Sequence, residues 1–308
     1  PYGILARMNR TTHIHGLLLP ALFAFWICLL PPLGAAAQPT TSGDLTPIQD
    51  IALQRELNQL VDKQGWRGQV DNDSMSIALV LIRDRGYRLA MLNGRHMAYA
   101  ASLPKIAILF AAMVASQEGD LVIGPELERD MRDMIRVSCN PCATRVMERV
   151  GRDKLLQILQ RPEYGFYDDD GYGGLWVGKD YAGKQAHRRD PLHGLSHGAT
   201  AYQVARIYYH LYRGTLLDEQ HTVMMREMMS KPGISHKFVR GLSREPDLEL
   251  WRKSGTWKNF HADSVLVQSP VGTYILVGLI EGPNGDRQLE TLAREAHKLV
   301  ARLASDPS

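Results

Sequence analysis

The sequence has little net charge, few cysteines and no apolar run of membrane-spanning length. Its formal net charge is +3 and no long basic run occurs, which argues against a nucleic-acid partner. The apolar run at residues 16–30 is broken by Pro20 and is shorter than the about 20 residues that a spanning helix needs. Internal repeats and low-complexity segments are also absent. These absences leave a globular protein with about 270 residues after its N-terminal segment, enough for a sizeable core.

The N-terminal segment has the layout of a secretory signal peptide. Basic residues Arg7 and Arg10 precede the apolar run, and the small residues of PPLGAAAQP follow it. We therefore predict a signal peptide at residues 1–37, cleaved near Ala37, and export to the periplasm or the cell exterior. The alternative is an uncleaved anchor. Cleavage would remove Cys28, so cysteine chemistry would be confined to VSCNPCAT, residues 137–144.

The order of helical and strand patterns predicts the fold. Residues 38–45 form a polar linker, and Thr46-Pro47 predicts the start of an amphipathic helix that ends at Gly65. The runs SMSIALVLIRD and YRLAMLNG predict a β-hairpin, and residues 101–229 have mostly helical periodicity. Three strand patterns follow, LELWRKSG, ADSVLVQS and GTYILVGLIEG. The last segment, DRQLETLAREAHKLVARLA, predicts another amphipathic helix.

This order predicts an α+β fold. We expect an antiparallel five-stranded sheet, covered by the N- and C-terminal helices, with a large all-helical insertion. The sheet subdomain would comprise residues 46–96 and 236–308, and the helical subdomain residues 97–235. Residues 162–199 lack clear periodicity, and an irregular stretch of that length inside a compact domain is usually functional or mobile.

A serine and a lysine stand at the head of the predicted helical segment. In AASLPKIAILFAAMVA, Ser102 and Lys105 precede an apolar stretch at residues 106–115. A spacing of three places both side chains on one face of a helix. Burial lowers the pKa of a lysine, so Lys105 could accept a proton from the Ser102 hydroxyl. Alone, the motif arises by chance, and the simpler interpretation is a helix cap beside a surface lysine.

Two further short motifs favour a catalytic role for Ser102 and Lys105 over the simpler interpretation. Ser138-Cys-Asn140 follows Ser102 by 36 residues, and Lys253-Ser254-Gly255-Thr256 stands at the end of the first late strand pattern. Each motif is weak by itself. Together, in this order and with these predicted elements, they form a much rarer combination.

The three motifs resemble the Ser-x-x-Lys, Ser-Asp-Asn and Lys-Thr-Gly elements of the serine β-lactamase and penicillin-binding superfamily, in particular its class A-like group. The resemblance covers nearly all of the chain after the signal segment and includes the stretch TAYQVARIYYHLYRGTLL. It implies that Ser102 is the acylated nucleophile, that Lys105 accepts its proton, and that Ser138 passes a proton to the leaving nitrogen.

The same resemblance assigns the substrate contacts. Asn140 would bind the substrate amide, and Lys253, with Ser254 and Gly255, would hold a substrate carboxylate. The backbone N–H groups of Ser102 and Thr256 would form the oxyanion hole, which usually contributes most to acyl transfer. The substrate would be a small molecule or a cell-wall peptide, with no cofactor, and the protein would be a monomer.

The sequence departs from the family pattern at three points. Cys139 replaces an aspartate, and Ser254 replaces a threonine but keeps a hydroxyl. The family's loop motif, a glutamate followed by Leu-Asn, is not present between Asn140 and Thr200. Glu163 and the three aspartates at 168–170 are poor substitutes, so the base for deacylation stays unassigned.

Several functions therefore stay open. A class A-like hydrolase that opens β-lactams or related acyl-D-amino acid amides is the first. A D-Ala-D-Ala carboxypeptidase or penicillin-binding-like enzyme, or an esterase with slow deacylation, is the second. A non-catalytic descendant that binds cell-wall peptides or a partner is disfavoured by the intact motif residues.

The two cysteines and the histidines suggest other chemistries. Cys139 and Cys142 have the spacing of a thiol-disulfide oxidoreductase, but they do not follow the first strand of a βαβ unit. A disulfide that braces the loop is the preferred interpretation. The histidines at 187, 193 and 197 fall in a Gly- and Pro-containing loop without a carboxylate at ligand spacing, so we predict no metal site.

Overall fold

The computed structural model describes residues 44–169, 171–183 and 186–305. The predicted signal peptide and residues 38–43 of the predicted linker lie outside this range. No helix in the described ranges combines the length and the apolar character needed to cross a bilayer. The helices are α1 Ile51–Lys63, α2 Arg67–Asp71, α3 Lys105–Gln117, α4 Pro125–Arg136, α5 Asn140–Val150, α6 Arg152–Gln160, α7 Ala201–Arg213, α8 Glu219–Met229, α9 Phe238–Gly241 and α10 Gly285–Ser305.

The strands form one large sheet and two small ones. The large sheet is five-stranded, in the order β2-β1-β10-β9-β8, and its neighbours are antiparallel. This confirms the predicted fold class. The strands are β1 Met75–Ile82, β2 Tyr87–Leu92, β3 Ala98–Tyr99, β4 Tyr167–Asp168, β5 Gly173–Gly174, β6 Trp176–Val177, β7 His197–Ala199, β8 Glu249–Trp257, β9 Phe260–Ser269 and β10 Gly272–Glu281.

Both faces of the large sheet are covered. Along β1, Ile77 and Leu79 pack in the cluster formed with α1 and α10, whereas Ala78 and Val80 pack in the cluster that contains α3 and α7. A strand buried on both faces has a nearly continuous apolar sequence, which explains the run of β1 in SMSIALVLIRD.

Helix α3 forms the centre of the second cluster. Its residues from Lys105 to Ala115 are all buried. Residues 106–115 are apolar on every side of the helix, as expected for a helix enclosed by the core. Helices α4, α5, α6 and α8 contact it. Because α3 is fixed on all sides, the residues at its N-terminus are held in place by the core.

The helix at the start of the domain begins later than its sequence predicts. The expected cap at Thr46 is wrong: α1 begins at Ile51, and the Asp50 side chain accepts a hydrogen bond from the Leu53 N–H at 2.8 Å. Thr46 instead contacts the Tyr87 hydroxyl, with its N–H 2.7 Å from that oxygen. Asp50 outcompetes Thr46 because it also pairs with Arg88 of β2.

The described part of residues 162–199 has more regular structure than its lack of periodicity suggests. It contains β4 to β7, and Trp176 is fully buried with its indole N–H donating to the Arg188 carbonyl at 2.9 Å. Tyr167 donates to the Asp190 carboxylate at 3.0 Å. Both hydrogen bonds lie within the segment, and the Phe166 ring, 5.2 Å from the Phe110 ring, packs the segment against α3. The division into sheet and helical subdomains at residues 96/97 and 235/236 stays a prediction.

Candidate active site

Ser102 lies in a tight turn immediately before α3. We expected it in the first turn of the helix, but α3 begins at Lys105 after Pro104. Hydrogen bonds from Lys105 N to Ser102 O (3.3 Å) and from Ala107 N to Pro104 O (2.9 Å) span three residues. Such 3₁₀-type turns align side chains three apart. Ala101, directly before the serine, has φ 49°, a conformation that is costly for a residue with a Cβ and is frequent at functional sites.

Lys105 is fully buried at the head of α3. Its Nζ donates to the Ser138 carbonyl at 2.7 Å and to Asn140 Oδ1 at 2.7 Å, and it lies 3.3 Å from Ser138 Oγ. Burial lowers the pKa of Lys105 to about 7, because removing the ammonium from water disfavours its charged form. Near neutral pH this amine can therefore accept a proton.

The Ser138 hydroxyl lies between two lysines. Its Oγ is 3.0 Å from Lys253 Nζ and 3.3 Å from Lys105 Nζ. A hydroxyl oxygen can accept two hydrogen bonds and still donate its own proton. Ser138 also has φ 60°, so this residue too is held in a conformation that side chains usually avoid. The arrangement leaves the Ser138 proton available for transfer into the cleft.

Lys253 lies in β8, and the motif 253–256 that it begins ends one residue before the end of the strand at Trp257, close to the predicted position. The Lys253 Nζ also donates to the Ser254 carbonyl at 2.6 Å. Burial lowers the pKa of Lys253 well below its usual range, and the neighbouring Lys105 lowers it further. The Ser254 hydroxyl lies 3.5 Å from His236 Nε2.

The cysteine pair stands at the N-terminus of α5. Cys139 and Cys142 form a disulfide, with their Cα atoms 5.3 Å apart. Cys139 is the N-cap, and its sulfur accepts from the Cys142 N–H at 3.2 Å. An N-cap normally satisfies a free N–H of the first helical turn. The cysteines therefore fix the turn between Ser138 and Asn140.

Gly255 brings β8 against the turn that contains Ser102. A Cβ placed on Gly255 would lie 2.3 Å from the Ala100 carbonyl oxygen and 2.7 Å from the Ser102 nitrogen. Only glycine allows this approach. Among the described residues, none accepts a backbone hydrogen bond from the Ser102 N–H. Thr256 follows Gly255 and lines the same cleft as Ser102.

The cleft has a volume of about 540 Å³ and is lined by Ser102, Asn140 and Thr256 together with Asp180, Tyr181 and His197. The last three were not assigned a role from sequence. The Tyr181 ring centroid lies 4.4 Å from Lys105 Nζ, and its hydroxyl donates to the Ala101 carbonyl at 3.0 Å. These contacts join residues 80 positions apart, and the sequence offered only an aromatic-rich loop as a signal.

Asp180 and His197 form part of the same wall. Asp180 accepts hydrogen bonds from Arg152 at 2.6 and 2.8 Å, and these bonds hold the pKa of its carboxyl below the usual value. His197 Nε2 lies 2.9 Å from the Lys179 carbonyl, and burial lowers the pKa of this imidazole to about 4. At neutral pH the wall therefore presents a paired carboxylate and a neutral imidazole.

The other acidic and histidine candidates lie elsewhere. Glu163 is exposed, and Asp169 accepts from Gln160 at 3.2 Å. His193 contacts Asp190. Across residues 44–169, 171–183 and 186–305, no group of three or more His, Cys, Asp or Glu side chains is arranged to hold a metal ion.

Solved structures with the same architecture belong to one class of protein. PBP-A aligns with a TM-score of 0.62 at 19% identity, covering 85% of this chain and 99% of that one. A β-lactamase from Sphaerobacter thermophilus DSM 20745 aligns with 0.60 at 16%, covering 80% and 96%. A variant of the last common ancestor of Gram-negative class A β-lactamases aligns with 0.62 at 15%, covering 82% and 99%. No curated protein matches the sequence.

The fold is that of the class A β-lactamases and PBP-A. More specifically, residues 125–306 match the model of the β-lactamase enzyme family, and the chain belongs to that family. The match includes Ser138 and Lys253, whereas Ser102 and Lys105 precede it. The resemblance inferred from the three motifs is thereby confirmed.

Proposed function

We propose that this protein is an exported serine hydrolase that forms an acyl-enzyme on Ser102 with β-lactams or related acyl-D-amino acid amides. The observation that carries the proposal is the Ser138 hydroxyl, held between Lys105 and Lys253 beside the cleft that Ser102 lines. A nucleophile, a buried amine and a relay hydroxyl in one site are the parts that acyl transfer requires.

Acylation would proceed in three proton transfers. Ser102 Oγ attacks the carbonyl carbon and its proton moves to the neutral amine of Lys105, whose pKa of about 7 suits that role. The N–H groups of Ser102 and Thr256 hold the oxyanion. When the C–N bond breaks, the Ser138 hydroxyl delivers a proton to the leaving nitrogen and is reprotonated from the Lys105 side.

The remaining side chains would orient the substrate. Asn140 uses its Oδ1 to accept from Lys105, which leaves its two N–H donors for a substrate carbonyl. Lys253, with Ser254 and Gly255 on the same strand, would hold the substrate carboxylate.

Deacylation is the step for which the cleft is least equipped. Within the described ranges, the side-chain partners of Lys105 are Ser138, Asn140 and the Tyr181 ring, with no carboxylate among them. Asp180 lines the cleft, but Arg152 occupies both of its oxygens, and a carboxyl with a lowered pKa is a weak base. This observation favours a second candidate, a penicillin-binding-like enzyme whose acyl-enzyme persists.

Intact-mass measurement after mixing with penicillin tests the proposal. We expect one adduct on the parent protein, located on Ser102 by peptide mapping, and none on the Ser102→Ala variant. A folded parent protein that forms no adduct with any of several β-lactam classes would overturn it. An adduct that lasts for hours supports the penicillin-binding-like candidate, whereas one that disappears within seconds with release of opened penicillin supports a true β-lactamase.

Export is tested separately. Expression of the full chain in a bacterium should yield a periplasmic or secreted product whose first residue lies close to Gln38. A product that stays in the cytoplasm at full mass would contradict the predicted signal peptide.

A further inference from the structure

A third buried lysine lies beside β8 and is not among the residues that line the cleft. Lys237 directly precedes α9, and its side chain is fully buried. Its Nζ donates to the Gly255 carbonyl at 2.6 Å, to Thr256 Oγ1 at 2.7 Å and to the Ala262 carbonyl at 3.2 Å. Three oxygen partners match the three protons of an ammonium group.

Acidic neighbours support the charged form of Lys237. Asp286 Oδ1 lies 3.4 Å from its Nζ and also contacts His261 Nδ1 at 2.7 Å. Burial lowers the pKa of Lys237, and the carboxylates of Asp263 and Asp286 oppose that shift. The residue has φ 52°, so the backbone adopts an unfavourable conformation to bring this side chain under the strand.

The Gly255 carbonyl and the Thr256 N–H are the two ends of one peptide group. A trans peptide is planar, and its C=O and N–H point in opposite directions. Because the carbonyl points toward Lys237 and β9, the Thr256 N–H points toward the free side of β8, which is the edge of the sheet. The turn that carries Ser102 packs over one face of the strand beside that edge, at Gly255.

A charge on the carbonyl affects the N–H at the other end. Hydrogen bonds to ionised donors are about twice as strong as neutral ones, and bonded groups polarise one another, by about 10–30% per bond. An ammonium on the Gly255 oxygen therefore draws electron density away from the Thr256 nitrogen and makes its N–H a stronger donor. It also prevents this peptide from rotating.

We propose that Lys237 is a positioning residue that orients and polarises the Gly255–Thr256 peptide so that the Thr256 N–H binds the oxyanion of the acylation step. This role rests on the proposed acyl transfer at Ser102. It differs from a substrate contact, because Lys237 bonds the far side of the peptide and does not line the cleft.

Three variants with two readouts test the role. Lys237→Met removes the charge and the donor, Lys237→Arg keeps both, and Asp286→Asn removes the ion pair but leaves the bond to Gly255. The readouts are the acylation rate as a function of β-lactam concentration and the infrared stretching frequency of the ¹³C-labelled acyl-enzyme carbonyl, which rises as its hydrogen bonds weaken.

We expect Lys237→Met to slow acylation at saturating β-lactam by about tenfold, a fraction of the loss of a whole oxyanion-hole donor. The concentration for half-maximal rate should stay within about twofold, since the charge acts on the transition state. The carbonyl frequency should rise. Lys237→Arg should restore most of both values. Asp286→Asn should resemble the parent protein, because Asp263 still supports the charged form of Lys237.

Two results would overturn the role: a Lys237→Met variant with the parent rate and carbonyl frequency, or an Asp286→Asn variant with an equal loss of rate, which would indicate a structural ion pair. If Lys237→Met does not fold, Lys237→Gln replaces it, because it keeps one donor without the charge, and equal frequencies in the Gln and Arg variants would then reject the role. A parent protein without any adduct would instead count against the proposed function.

Discussion

Two buried lysines lie near the cleft, in different surroundings: Lys105 in the helical wall that contains Ser102 and Asn140, and Lys237 behind the sheet wall that contains Gly255 and Thr256. On the helical wall, Lys105 has a hydroxyl, an amide oxygen and the Tyr181 ring as side-chain neighbours, and burial lowers its pKa to about 7. Behind the sheet wall, Lys237 has three oxygen acceptors and Asp286. Burial lowers the pKa of both lysines, but for Lys237 the carboxylates of Asp263 and Asp286 oppose that shift, whereas no carboxylate contacts Lys105 among the described residues.

The contact between Gly255 and the turn that carries Ser102 joins the two walls, and we expect its disruption to have the largest effect. Gly255→Ala places a Cβ 2.3 Å from the Ala100 oxygen and 2.7 Å from the Ser102 nitrogen. Both of these atoms belong to the backbone and cannot move aside as a flexible side chain could. We expect acylation to fall by at least about 100-fold, comparable to losing an oxyanion-hole donor, and the free energy of unfolding to fall by about 1–3 kcal/mol. Stopped-flow acylation and thermal unfolding measure the two effects.

Gly94→Ala is the matched control, because its Cβ meets only the Met91 side chain, away from the cleft. It should lower stability with little change in acylation. If Gly255→Ala acylates at the parent rate, the close approach of the two walls is not required.

The proton acceptor on the helical wall gives the second prediction. Acylation needs Lys105 unprotonated, and its pKa is about 7, so the acylation rate should rise with pH through about 7 and level off above it. Lys105→Arg keeps the charge but cannot lose its proton, so acylation should fall by about 100-fold or more. Lys154, which is half-buried and paired with Asp120 away from the cleft, should leave the profile unchanged when changed to Arg. A flat parent profile between pH 5 and 9 would exclude Lys105 as the base.

A substitution can place a carboxylate beside Lys105, where none of the described residues supplies one. Tyr181→Glu would replace the ring beside Lys105 with a carboxylate and should speed deacylation by about tenfold, at the low end for a general base. The same carboxylate should raise the pKa of Lys105 and shift the acylation profile to higher pH. Tyr181→Phe, which keeps the ring and loses only the bond to Ala101, is the control. Equal deacylation rates in the Glu and Phe variants would contradict the explanation that deacylation is slow because no described residue places a carboxylate beside Lys105.

Reduction of the disulfide should have the smallest of these effects on the acylation rate. Reduction of Cys139–Cys142 should loosen the cap that fixes Ser138, and the loss of about 1 kcal/mol typical of a cap corresponds to about fivefold slower acylation. The Cys139→Ser, Cys142→Ser double variant should be slow with and without reductant. A parent protein that acylates equally fast in both conditions would reject a bracing role for the disulfide.

Sequence patterns predicted the features that are encoded by residues close together in the chain. The sheet, the terminal helices and the three motifs were found because periodicity and short spacings encode them. The start of α1 was missed because Asp50 is selected over Thr46 by its pairing with Arg88 of β2, a contact 38 residues away.

The missed parts of the site depend on distant contacts. Tyr181 reaches Ala101 across 80 residues and Lys237 reaches Gly255 across 18, and neither contact has a spacing rule. The Lys253 motif, by contrast, lies close to the end of β8, where the sequence placed it. Local sequence therefore predicted the groups that react, and tertiary packing determined those that adjust them.

The position of β8 at the edge of the sheet has a consequence for solubility. Edge strands expose unpaired backbone groups that can pair with another molecule and start aggregation. Here the edge is partly covered, because Ser230 bridges Trp251. The Ala100–Leu103 turn covers one face of the strand beside that edge, at Gly255, so substitutions that separate the turn from β8 should expose more of the strand and increase self-association as well as reduce activity.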